Sequence, residues 1–190
     1  MPTPAALVTY LLPNGQPSIV TLGEVSMLAL DPLVVGISIR PARYSHPCIS
    51  AAREYVVNFP TAELTAALDI CGTTSGRDTD KFVAAGLTPE PAEVVRTPLI
   101  RECPISIECR LRDVLPMASH DLFVGEAVAT HVEDWALDAA GFLDPVRARS
   151  VAFVGRGYWR VGELADRAFV RRPLARGRQG ADGSEATGEH

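Results

Sequence analysis

The chain has 190 residues, 47% of them hydrophobic and 22% charged, enough for one core held without disulfides or structural metal. Its 18 basic and 23 acidic residues leave a net charge of -5, the wrong sign for a phosphate-backbone binder, so DNA and RNA are not expected partners. No lysine or arginine precedes Arg40, and no apolar run reaches the ~18 residues of a membrane span, so neither a secretory leader nor a membrane anchor is expected and the chain reads as cytoplasmic.

Residues 5–12 and 18–25 are short apolar runs around Pro13-Asn14-Gly15-Gln16-Pro17. The Asn-Gly pair tolerates the positive φ of a tight turn, so the two runs read as a β-hairpin. Asp31-Pro32 punctuates the next link, and residues 33–39 (Leu-Val-Val-Gly-Ile-Ser-Ile) are apolar on both faces, as in a strand inside a barrel or sandwich. Ser45 is placed to cap a helix through residue 53, with Pro47 tolerated in its first turn. Residues 55–59 form a strand ended by Pro60. Thr61 is placed to open a second helix, with Leu64, Leu68 and Cys71 on one face and Gly72 at its end. A third helix is expected over 78–85, stopped by Gly86.

Residues 105–111 alternate Ile105, Ile107, Cys109 and Leu111 with Ser106, Glu108 and Arg110, the period of two of a half-buried strand. Residues 122–132 and 150–161 add strands, with Gly125, Gly155 and Gly157 as bulges or close approaches. No glycine-rich dinucleotide turn follows a strand, which disfavours a Rossmann domain. The expectation is mainly β with helical connectors: a β-barrel domain over 1–168, followed by an arginine- and glycine-rich tail over 169–190 too poor in large apolar residues to order. Cys48, Cys71, Cys103 and Cys109 form no C-x-x-C pair, so they read as reduced, buried residues and no metal site is expected.

All but one of the 18 basic residues are arginines; the exception is Lys81. A chain so biased keeps a lysine where a compact ammonium suits and a planar guanidinium does not. Three stretches then bear on chemistry. Ser38, Arg40, Arg43, Tyr44 and Ser45 lie where a buried strand meets a helix start, a combination suited to a phosphate, though a solvated loop would look the same. Residues 71–82 form a glycine- and hydroxyl-rich loop with Ser75 and Gly76, running into the helix of Lys81, which either reaches an anion or pairs with Asp78 or Asp80. Ser119-His120-Asp121 are adjacent and so point to different sides, which excludes a hydrolase triad; His120 lines a pocket or is merely exposed.

In order and spacing, Pro17-Ser18-Ile19-Val20-Thr21, Val25-Ser26, Asp31-Pro32, Ser38-Ile39-Arg40, Arg43-Tyr44-Ser45-His46, Asn58-Phe59-Pro60, Cys71-Gly72, Ser75-Gly76-Arg77-Asp78, Asp80-Lys81-Phe82 and residues 120–126 resemble the flavin reductase-like family across about residues 3–164. The resemblance implies an FMN-binding split barrel of Greek-key type that forms a homodimer and binds flavin noncovalently, as FMN or alternatively FAD. It implies that Thr21, Val25 and Ser26 lie along the isoalloxazine, that Arg40, Arg43 and Ser45, with Ser38 and Tyr44 beside them, take the phosphate, and that Ser75, Gly76 and Lys81 close over it. Ser18 stands where the family often has asparagine. The implied activity is NAD(P)H-dependent flavin reduction, hydride passing to flavin N5, with His120 as the candidate catalytic residue and a monooxygenase or redox protein as partner. The alternatives are a flavoredoxin-like electron carrier and an FMN-binding module without turnover.

Overall fold

The structure is a computed structural model and describes residues 1–165; the tail expected over 169–190 lies outside the described residues. Short β1 (Thr3–Pro4) leads into a hairpin of β2 (Ala6–Leu11) and β3 (Pro17–Leu22), paired from Ala6↔Leu22 to Leu11↔Pro17. Gly15 takes the left-handed φ of +82° in its turn, as the Asn-Gly pair requires. The strand expected over 18–25 breaks at Gly23 and Glu24; β4 (Val25–Leu30) is separate and pairs with β5 (Leu33–Ile39) across the cis Asp31-Pro32 link. The chain continues through α1 (Ser45–Ala52), β6 (Glu54–Phe59), α2 (Thr65–Thr73), α3 (Lys81–Ala85), the pair β7 (Pro89–Glu90) and β8 (Leu99–Ile100), and two long strands, β9 (Ile105–Pro116) and β10 (Asp121–Val132). A hairpin of β11 (Val151–Val154) and β12 (Gly157–Arg160) turns at Gly155, φ +63°, and β1 joins its edge.

Seven antiparallel strands form one sheet in the order β3-β2-β6-β9-β10-β5-β4. Laid flat, its edges would be roughly 29 Å apart at the usual interstrand spacing, yet the edge strands β3 and β4 are joined by two residues, which reach only about 10 Å. The sheet therefore curls until its edges meet, and Ser38 N, donating to the Glu24 carbonyl at 3.1 Å, carries the β4–β5 ladder into the link that joins them. Inside the barrel pack Val8, Tyr10, Ile37, Tyr55, Leu111 and Phe123, and α1 contributes Cys48 and Ile49 to the same cluster. Leu7 and Ile19 face outward, under Leu68 of α2 and Phe82 of α3, so β2 is covered on both faces and shows no polar alternation. At Gly125 a Cβ would collide with the Tyr55 hydroxyl, and the β9–β10 register shifts there. All four cysteines are free and buried. Among the described residues no helix is long and apolar enough to cross a membrane.

The half-buried reading of β9 is corrected: Ser106 and Glu108 are buried as fully as their apolar neighbours, because residues 91–98 lie over that face. The Glu108 carboxylate accepts from the amides of Glu93, Val94 and Val95 at 2.8, 2.8 and 2.9 Å and pairs with His131 at 2.7 Å. Glu54 accepts from the Arg96 and Thr97 amides, and Asn58 accepts from Ile100 N and from the Ser106 hydroxyl. Burial pushes the Glu108 carboxyl up, but these donors outweigh it and hold it below the ordinary 4.5. Its stabilising contribution is therefore fully present above pH 4.5 and is lost as pH falls through the lower folded value. Replacing Glu108 with alanine strands buried amides and is expected to cost about 3 kcal/mol in urea unfolding at pH 7. The difference from wild type should shrink as the measurement is repeated toward pH 3; a constant difference would rule out the carboxylate as the clamp.

Candidate functional site

Four chain segments surround a cavity of about 400 Å³: β3, the run from the end of β5 to the start of α1, the run from the end of α2 to Lys81, and His120 just before β10. The curl of the sheet brings them together by laying β3 beside the end of β5. Ser38, Arg40, Arg43, Tyr44, Ser45, Thr21, Ser75, Gly76, Lys81 and His120 all line it. Val25 and Ser26 do not: Val25 is buried among the barrel residues, and Ser26 is exposed on β4. Arg77, Tyr10 and Glu24 complete the wall, and sequence reasoning did not single them out.

Residues 40–46 are wound tightly, with Arg43 N bonded to the Arg40 carbonyl and His46 N to that of Arg43. His46 Nε2 meets Asp121 at 2.8 Å, and its ring stands edge-on to Phe123, 4.9 Å between centroids, pinning α1 to the start of β10. Ser45 does not cap α1; Tyr44 occupies that position in helical geometry, and Ser45 is the first helical residue. The residue lines the cavity, and its hydroxyl is buried with no hydrogen-bond partner. A buried hydroxyl without a partner costs on the order of 1–3 kcal/mol, so this one invites an acceptor from the cavity.

The second segment also departs from expectation. Gly72 lies within α2, where a Cβ would press on Thr21 at 3.3 Å; its smallness serves the crossing of α2 over β3, not the helix end. The Thr21 hydroxyl donates to the Leu68 carbonyl at 2.6 Å, so toward a ligand it can only accept. Thr73 and Thr74 close α2 by donating back to the Asp69 and Ile70 carbonyls. At Gly76 a Cβ would lie 2.6 Å from Ser18 Oγ and 3.0 Å from the Tyr10 hydroxyl. Asp80, not residue 78, opens α3, accepting from Val83 N at 3.1 Å. Burial pushes the Tyr10 hydroxyl up to about 12.

Lys81 is 3% exposed. Its Nζ donates to the Cys71 carbonyl at 2.7 Å, and none of the ion pairs among the described residues involves it. Burial, with Arg43 nearby, draws its pKa below the ordinary 10.5. The Cys71 thiol is pushed up to about 11 by burial, partly offset by Lys81, and so stays neutral at pH 7. Arg40, Arg43, Arg77 and Lys81 face the cavity against one carboxylate, Glu24. Arg40 Nε donates to His120 Nε2 at 3.2 Å, and His120 Nδ1 lies 2.8 Å from Ser119 Oγ. Since the guanidinium only donates, Nε2 accepts and the imidazole proton sits on Nδ1. Unpaired cations, an orphan hydroxyl and a Cβ-free turn together make a cavity for a polyoxygen anion with a flat body beside it.

The family model of the flavin reductase like domain matches residues 1–152. The structure is similar to that of flavoredoxin from Desulfovibrio vulgaris (Miyazaki F), with a TM-score of 0.83, 30% identity, and 88% of this chain and 91% of that one covered. It is also similar to an FMN-binding protein of Thermus thermophilus crystallised with bound 1-cyclohex-2-enone, with a TM-score of 0.78, 25% identity and coverages of 88% and 90%. In sequence the chain is 26% identical over 132 residues to the NADH:riboflavin 5'-phosphate oxidoreductase of Streptomyces pristinaespiralis, covering 70% of this chain and 72% of that protein. The curled seven-stranded sheet is thus a split barrel. The packing at the turn has a direct check: Gly76→Ala forces Ser18 and Tyr10 apart and is expected to destabilise the fold by about 1–3 kcal/mol in urea, whereas an unchanged midpoint would show that the 74–77 turn is not held against them.

Proposed function

This chain belongs to the flavin reductase-like family and is a flavin-related oxidoreductase, and from that premise we propose that it binds FMN in the cavity described above and reduces it with NAD(P)H. The observation that carries the reading is Lys81, a buried ammonium without a carboxylate, lining the same cavity as Ser45, whose hydroxyl has no partner. Both fit a phosphate monoester. Lys81, Arg40, Arg43 and Ser45 hold the phosphate. Arg40 is aimed by His120, which makes His120 a positioning residue. Gly76 lets the 74–77 turn close on the ligand, and the lone pairs of Thr21 face the flavin's N–H edge. Val25, packed in the barrel, and Ser26, exposed on β4, take no part in this binding.

FMN, when bound, supplies the hydride-accepting N5, so the protein needs no general base. The chain's part is to fix the phosphate, keep water from the buried ammonium and leave one ring face open to nicotinamide. Exposed Met27, Leu28 and Leu30 on edge strand β4 support a homodimer, which delivers electrons to free flavin, a redox protein or a monooxygenase component. The flavoredoxin likeness favours a second reading, a carrier reduced by a protein partner.

The test is anaerobic reduction of the yellow protein. Bleaching by NADH or NADPH is expected; bleaching by dithionite or a reduced partner protein alone would replace the reductase with the carrier. In titrations Lys81→Met and Arg40→Ala should each weaken FMN by about 10- to 100-fold, the equivalent of one charge-assisted bond, and Lys81→Arg should also lose affinity. Riboflavin, which lacks the phosphate, should be unaffected, and equal losses for both ligands would remove the phosphate assignment. Wild-type FMN affinity should fall on the alkaline side, as Lys81 loses its proton.

A further inference from the structure

Tyr10 is 1% exposed and its ring packs inside the barrel with Ile37, Tyr55 and Phe123, yet the residue also lines the first cavity. Its hydroxyl lies under the 74–77 turn, 3.0 Å from where a Gly76 Cβ would stand, and the buried Ser18 hydroxyl is 2.6 Å from the same point. Ser18 is the hydrogen-bonding group that acts on the phenol, but its hydroxyl is not aligned for a bond and has no partner. Were the two to turn toward each other, one bond would engage one of their two protons and leave the other without an acceptor. Burial pushes the phenol up to about 12, so it keeps its proton and stays a donor. A buried O–H without an acceptor costs free energy that packing does not return.

The turn above these hydroxyls divides two electrostatic fields. Tyr44, Gly76 and Arg77 line both the first cavity and a neighbouring one of about 610 Å³, and the Arg77 guanidinium stands at the boundary, 4.8 Å from the centroid of the Tyr44 ring. The first cavity sets four cations against Glu24, whereas in the second Arg77 is the sole cation and Asp78 and Asp80 are the acids. An anionic group is therefore kept on the near side of the turn, the side that Tyr10 lines. The phenol is also close enough to Cys71 and Tyr44 for their charges to act on it, and Cys71 is the residue whose carbonyl holds Lys81. Resting on the flavin reading above, we infer that the Tyr10 hydroxyl is a further phosphate-binding group, donating to an oxygen of the FMN phosphate from beneath the turn. The three terminal oxygens of a phosphate monoester leave acceptor sites for a phenol beside the cations. Tyr10 and Ser45 then supply neutral donors that stay protonated when the Lys81 ammonium does not.

The experiment is calorimetric titration of flavin-free, full-length protein with FMN and with riboflavin, in wild type, Tyr10→Phe and Ser18→Ala, beside urea unfolding of each protein without flavin. Tyr10→Phe removes one oxygen and keeps the ring in the barrel. It is expected to weaken FMN about tenfold while leaving riboflavin within about twofold. The flavin-free variant should unfold at a midpoint no lower than wild type, because the hydroxyl has no acceptor to lose. Ser18→Ala should leave FMN within about twofold, and inorganic phosphate alone should raise the melting temperature of wild type more than that of Tyr10→Phe. The inference is overturned if Tyr10→Phe binds FMN as wild type does, if it loses FMN and riboflavin alike, or if its flavin-free form unfolds at a lower midpoint. Equal protection of both proteins by phosphate, or an FMN loss in Ser18→Ala as large as in Tyr10→Phe, overturns it too. Wild-type protein that binds no FMN removes the flavin reading and this one with it; wild type that binds FMN beside an unaffected Tyr10→Phe removes this one alone.

Discussion

The costliest arrangement in this fold is the Lys81 ammonium, buried and bonded to a single backbone carbonyl. Taking an ammonium out of water costs several kcal/mol, and one neutral acceptor does not return that. The usual remedy, a carboxylate, is at hand in sequence, since Asp78 and Asp80 precede Lys81 directly. Asp80 is spent instead on capping α3, and Asp78 faces the neighbouring cavity. The strain resolves if the missing counter-charge arrives with a ligand, which makes Lys81 a residue stabilised by what it binds rather than by what it packs against.

That position exists only because the sheet closes. With two residues between β3 and β4, closure lays the outward face of β3 beside the end of β5 and gives α2 a surface to cross at Thr21 and Gly72. The 71–81 segment is then held against β3 at two glycines, and residues 40–45 are held against β10 by His46 and Asp121. Neither arm carries the cavity alone. The hydrogen-bonded clamp at Glu108 and Glu54 stabilises the 91–98 cover, and neither carboxylate lines the cavity.

Much of this was legible in the sequence where the signal is local. The Asn14-Gly15 hairpin, the run 33–39 and the stop at Gly86 each rest on a backbone preference that tertiary context did not override. The break after Leu22 was not legible, because Leu22 and Val25 are both apolar and buried, and only the curl separates their strands. Ser106 and Glu108 look like a solvent face until the loop preceding their strand folds back over them. Ser45 has the composition of a cap, yet Tyr44 already holds helical geometry, which leaves the serine hydroxyl buried and without a partner. The lone lysine among arginines was a usable signal, whereas Arg77 carried none, since its role depends on the ring of Tyr44, more than thirty residues earlier.

The division of charge across Arg77 has a consequence for selectivity. Attraction to the first cavity is not specific to flavin; four cations facing one carboxylate would draw any small phosphate. Discrimination must then come from the uncharged surfaces of β3 and the Cβ-free turn, which accept a flat ring, and from Asp78 and Asp80 beyond Arg77, which repel a second anionic group. Repulsion placed one turn away from attraction thus limits the site to a narrower class than its cations alone would select.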